Sequence, residues 1–146
     1  MATGADADGQ LMKLMHIPPA HVDRAWRDGA HNLAKACEWA LREVTPDQLK
    51  MMLARGERQL LGLDVDGKFV AWAAVQVQQL PNIRVFYIYS IYAPGSTGPE
   101  AFRQLADLAR AEGCSSIRGA CSEQVLRIWE RKFSARRLYT ICEIEI

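Results

Sequence analysis

IRVFYIYSIYAPGSTG, residues 83–98, decides the fold. Its first ten residues, Ile83 to Tyr92, are aromatic or β-branched at nearly every position and apolar on both faces. That pattern predicts a strand in the interior of a sheet, since an edge or half-solvated strand would alternate with polar residues. Ala93 to Gly98 is then a Gly/Pro/Ser loop, and Pro99 opens a helical pattern with Phe102, Leu105, Ala106 and Ala109 on one face, closed by Gly113. A strand that ends in such a loop and feeds a helix leaves free backbone N–H groups at the positive end of the helix dipole. This favours a phosphate or pyrophosphate, although a lone Gly-x-x-Gly also describes an ordinary turn.

Upstream, Gln59 to Val65 reads as a strand, Asp66-Gly67 as a hairpin turn and Lys68 to Gln79 as the returning strand. Thr45-Pro46-Asp47-Gln48 carries a capping box and predicts a helix that buries Leu49, Met52 and Leu53 and stops at Gly56. Val22, Trp26, Ala30, Leu33 and Cys37 recur at helical spacing, broken into two pieces by Gly29. Leu11 to Ile17 is a short first strand ended by Pro18-Pro19, and residues 1–10 are expected to be a flexible leader without the pattern of a signal peptide. Downstream, Ser115 to Ala120 is a short strand, Ser122 caps a helix carrying Val125, Ile128 and Trp129, and Arg137 to Ile146 is expected to be the last strand of the sheet.

A length of 146 residues is one domain, here residues 11–146, and a net charge of +1 exerts no general pull toward nucleic acid or membrane. Cys37, Cys114, Cys121 and Cys142 form no CxxC pair, and His16, His21 and His31 lack zinc-ligand spacing. Free thiols in a reducing cytoplasm, packed as small hydrophobes, and no metal are the expectation. Trp26, Trp39, Trp72 and Trp129 fall in periodic apolar settings that suit core or groove walls.

The element order is an antiparallel meander leading into a parallel crossover. With the loop at 93–98 and the tail VLRIWERKFSARRLYTICEIEI, the chain resembles the GNAT N-acetyltransferases over nearly its whole length. The segment Leu108 to Cys114 also resembles a diverged branch of GNAT-like proteins encoded by tailed phages, some of them among virion genes. The resemblance implies a single α+β domain, a mixed central sheet with helices on both faces, and two parallel strands that splay apart beside the loop. It implies acetyl-CoA as cofactor, its pyrophosphate at Gly95, Ser96, Thr97 and Gly98, and its pantetheine bonded by the backbone near Ile91 and Tyr92. The partner would be an amine acceptor in the cytoplasm; the phage likeness implies instead a virion or host-facing protein with a protein partner.

The sequence departs from the family where the chemistry lies. The loop has no basic residue, and Pro94 and Pro99 each remove an N–H donor. GNAT enzymes often place a carboxylate base on the central strand and a tyrosine acid in the last helix. Here the strand offers only Tyr87, Tyr89, Ser90 and Tyr92, and the helix has Ile128 or Trp129 at the tyrosine position, with Lys132 ahead of the Phe. Asp64, Tyr139, Glu143 and Glu145 are remote substitutes. The basic group Arg127, Arg131, Lys132, Arg136 and Arg137 suits CoA phosphates or an acidic partner, or else a solvated helix face paired with Glu130. Catalytic residues remain unassigned from sequence, and any acetyl transfer is expected to be slow.

Overall fold

The computed structural model describes residues 3–5, 11–39, 43–95 and 98–146. Six strands form one sheet in the order β1 (Thr3–Ala5), β2 (Leu11–Ile17), β3 (Gln59–Val65), β4 (Lys68–Gln79), β5 (Arg84–Tyr92) and β6 (Ser116–Gly119). All neighbours are antiparallel except β5 and β6, which are parallel. Within the stretch expected as a leader, Thr3–Ala5 instead pairs with β2.

Local chemistry explains the boundaries. Gly29 sits at φ 140°, and there the chain leaves α1 (Val22–Asp28) for a 3-10 turn and α2 (Ala34–Trp39). Thr45 accepts from the Gln48 N–H at 3.2 Å while the Gln48 side chain accepts from the Thr45 N–H at 2.9 Å, starting α3 (Pro46–Ala54). Asp66 and Gly67 both have positive φ, the requirement of a two-residue hairpin turn, and Asp64 Oδ1 accepts the Gly67 N–H at 2.8 Å. Asp64 therefore serves the hairpin turn.

The sheet separates two cores. Ile17, Leu60, Trp72 and Ala74 face α1 to α3 through Val22, Leu33, Leu49 and Leu53. Leu14, Leu61, Val75, Phe86 and Ile88 face α4 (Gly98–Ala111) through Leu105, Leu108 and Ala109. Helices thus cover both faces, and β5 lies inside the sheet between β4 and β6. On α4, Gln104 is buried: its Oε1 accepts the Leu14 N–H at 2.8 Å and its Nε2 donates to Met12 O at 2.9 Å. Leu11 O accepts the Asp66 N–H on the β3 side. By strand alternation Met12 and Leu14 present their peptides to the β1 side, where Gln104 extends the pairing past Lys13, the last β2 residue matched by β1.

The expected final strand is absent. Residues 134–146 carry no strand, and among the described residues no backbone–backbone hydrogen bond involves residues 136–146. Ser134 ends α5 (Glu123–Phe133) in the left-handed region, Ser134 and Ala135 both donate to Trp129 O, and Arg137 folds back onto Glu123 at 2.6 Å. These contacts hold the start of the tail against α5, and the four residues of β6 offer little ladder to capture it. Cys142 is exposed on this tail, so the core role expected of the thiols applies to Cys37 and Cys114 but not to Cys142.

Candidate functional site

The site is a fork in the sheet. β5 and β6 pair in parallel from Val85↔Ser116 to Ile88↔Gly119, and there the ladder ends. β5 continues to Tyr92, paired with β4. At the same level the β4–β5 register jumps from Val75↔Ile88 to Ala74↔Ser90, leaving Tyr89 as an extra residue that bends β5. Gly119 sits in the crotch: a Cβ there would stand 3.1 Å from Ile88 O and 3.5 Å from the Trp129 ring. Past the fork, the β6-facing edge of β5 has no ladder partner among the described residues.

The chain leaves β5 through Ala93 and Pro94 into Gly95, which is exposed. A Cβ at Gly95 would meet nothing within 4 Å. Gly98 starts α4 at φ 70°, likewise with open space beside it. Ser96 and Thr97 lie outside the described residues. Ile91 is 47% exposed, whereas Tyr92 packs on the α1–α3 core with Lys35 Nζ 5.1 Å from its ring centroid. In the first turn of α4, Glu100 accepts from Arg103 and Gln104, which hold its carboxyl down at about 2. An anion at the loop meets this ionised carboxylate, and Arg103 offsets it.

On the α1–α3 side of the fork lies a polar aromatic cluster. Tyr87 and Tyr89 have centroids 4.7 Å apart, and the Arg58 guanidinium lies 3.6 Å from the Tyr89 centroid. Tyr89 Oη donates to Gln76 Oε1 at 3.0 Å and accepts from Gln78 Nε2 at 3.0 Å. Burial pushes the Tyr87 phenol up, with Tyr89, Tyr139 and Glu43 adding to the shift and a backbone hydrogen bond from Ala120 opposing it. Ala120 directly follows β6, so Tyr87 is the phenol brought to the fork. Glu43, on the connection before α3, is a carboxylate within electrostatic reach that the sequence did not single out. No motif marks it; only the fold brings it near β5.

The remaining candidates are scattered. Tyr139, Glu143 and Glu145 lie on the exposed tail. Arg137 pairs with Glu123, not with the expected Glu130, while Arg127, Arg131 and Lys132 are exposed on α5. Among the described residues no cluster of His, Cys, Asp or Glu could hold a metal, and no helix is long and apolar enough to cross a membrane.

No family model matches the chain, and no curated protein matches it. Solved structures do. An aminoglycoside acetyltransferase from an uncultured soil metagenomic sample superposes with a TM-score of 0.65 at 10% identity, covering 92% of this chain and 96% of its own. A ribosomal-protein-alanine N-acetyltransferase from Brucella melitensis biovar Abortus gives 0.66 at 17%, covering 92% and 99%. An aminoglycoside N-acetyltransferase in complex with CoA gives 0.61 at 12%, covering 94% and 96%. The chain has the GNAT acetyltransferase fold. At these identities the likeness is one of fold alone. The implied kinship with a phage-encoded branch finds no support among these matches.

Proposed function

We propose that this GNAT-fold chain is an acetyl-CoA-dependent N-acetyltransferase with a slow chemical step. The fork carries the reading: β5 runs four residues past Ile88 without a partner on the β6 side among the described residues, toward a glycine with open space above it. Such an edge suits an extended amide-bearing chain, which would bond the backbone near Ile91 and Tyr92 as an added strand. Gly95, Ser96, Thr97 and Gly98 would then meet the pyrophosphate. When bound, the cofactor supplies an activated acetyl thioester. Tyr87 holds the proton nearest the fork, and its raised pKa makes it a reluctant donor to a leaving thiolate. Glu43 is the carboxylate on the same side for taking a proton from the amine. Approximation of the two reactants still accelerates transfer when acid and base are weak.

Titration calorimetry with acetyl-CoA, followed by a thiol-release assay on a broad amine panel, tests this. Heat of binding that vanishes in Gly95→Trp while the circular dichroism is unchanged is the expected result; the open space at Gly95 lets the variant fold. Tyr87→Phe should lower turnover about 10²-fold. No binding at millimolar acetyl-CoA would sink the proposal. It would leave a second reading, a non-catalytic GNAT-fold protein with a protein partner, which the lack of a carboxylate on β5 and of a tyrosine at Ile128 or Trp129 favours.

A further inference from the structure

Arg58, between α3 and β3, rests on a prepared platform. Its guanidinium lies 3.6 Å from the centroid of the Tyr89 ring. Tyr89 is the extra residue at the bend of β5, one step beyond the last β5–β6 pair at Ile88↔Gly119. The ring is held in place: its hydroxyl donates to Gln76 and accepts from Gln78, and Gln76 donates in turn to Glu57 O at 3.0 Å. Among the described residues no carboxylate pairs with Arg58; the adjacent Glu57 pairs with Arg55 instead, at 3.9 Å. A half-buried guanidinium fixed over an aromatic ring keeps its planar edge of donors for a carboxylate, with little side-chain freedom left to lose. The opposite charge stands at the other end of the same cluster. Tyr87, whose ring centroid is 4.7 Å from that of Tyr89, has the Glu43 carboxylate within electrostatic reach.

We propose that the acceptor at this fork is a small amino acid, its carboxylate received by the Arg58 guanidinium and its amine turned toward Glu43. Its role as acetyl acceptor rests on the acetyl-transfer reading above; recognition of the paired charges rests on the cluster alone. Two further cations disfavour a polycationic amine. Lys35 lies over the Tyr92 ring at 5.1 Å. Arg118 stands beside Tyr87 in the β5–β6 register, on the face opposite Ile117, which packs toward α4. Neither has an ion-pair partner among the described residues, so Lys35, Arg58 and Arg118 together outweigh Glu43 along this side of β5. A polyamine meets that excess with like charge, and an amine that carries a carboxylate meets it with opposite charge. Transfer then makes the C–N bond of an N-acetyl amino acid as the C–S bond of the thioester breaks, and the proton lost by the amine balances the thiolate as free thiol.

Nitrogen-15 spectra of the full chain without cofactor test the recognition. The probes are a panel of α- and ω-amino acids, each beside its carboxamide, and spermidine as the polycation. An amino acid, but neither its carboxamide nor spermidine, should give saturable shifts of the Arg58 Nε–H and of the Gln76 and Gln78 side-chain amides. Arg58→Met keeps an apolar stem over Tyr89 and should leave the circular dichroism unchanged while weakening that binding at least about 10-fold. Arg58→Lys keeps the charge without the planar edge and should recover part of the loss. Thiol release from acetyl-CoA should follow the same order, with the defect of Arg58→Met falling on KM more than on kcat. Carboxamides or spermidine that bind as well as the amino acids overturn the proposal, as do a panel that leaves these peaks unmoved and an Arg58→Met variant that binds as tightly as the parent. Heat of acetyl-CoA binding without discrimination among the amines sinks this proposal alone. Amino acid binding without cofactor heat or thiol release overturns acetyl transfer, and with it the acceptor role, while the Arg58 carboxylate site stands.

Discussion

The half of the sheet from β2 to β5 and the end formed by β6, α5 and the tail are built to different standards. In the first, Leu60, Leu61, Val75 and Phe86 are each 1% exposed or less, and Gln104 holds the β2 backbone at Met12 and Leu14, where the pairing with β1 ends. In the second, β6 has four residues, α5 buries none, and five large apolar residues of the tail are exposed. The contrast separates frame from opening. The meander is a closely packed frame that sets β5 in place; the other end, from the fork to the tail, is left open.

Substitutions on the two sides sharpen that contrast. Phe86→Ala should cost the most, about 3–5 kcal/mol, because it empties a fully buried site between β5 and α4; urea unfolding measures it. Gln104→Ala should cost about 1–3 kcal/mol, since the Leu14 N–H and Met12 carbonyl lose their partner where water is excluded. A neutral result at Gln104 would mean that the β2 edge opens to water readily.

Smaller again is the contribution of Glu100. Its carboxyl is held at about 2 against an ordinary 4.5, so its stabilising effect is complete above 4.5 and is lost as pH falls through about 2. Urea midpoints of Glu100→Gln should therefore lie below those of the parent near neutrality and converge with them toward pH 2. Smallest is Ile144→Ser, which should change stability by no more than about 0.5 kcal/mol because the side chain is exposed. A larger loss there would show that the tail packs on its own domain.

Most of the frame was legible in the sequence because each element carries its own punctuation. The Thr45–Gln48 capping box, the Asp66-Gly67 turn and the two-faced apolar run of β5 act over a few residues. The fork was legible only through family likeness, since no residue pattern announces where a ladder stops. Gln104 escaped notice because a polar residue within an amphipathic helix ordinarily faces water, and its use depends on a strand edge far away in sequence. Glu43 was hidden for the same reason. The tail misled because its alternation is that of a strand: period and propensity show what a segment can form, not whether an edge is in place to pair with it.

One bond offers a distant gauge of the loop. The Leu14 amide hydrogen is held by Gln104, whose Nε2 also reaches Glu100 Oε1 in the first turn of α4, just beyond Gly98. That hydrogen can pass to deuterium in the solvent only when α4 lifts from β2. Anything that clamps the start of α4 should therefore slow isotope exchange at Leu14, on the opposite flank of the sheet from β6.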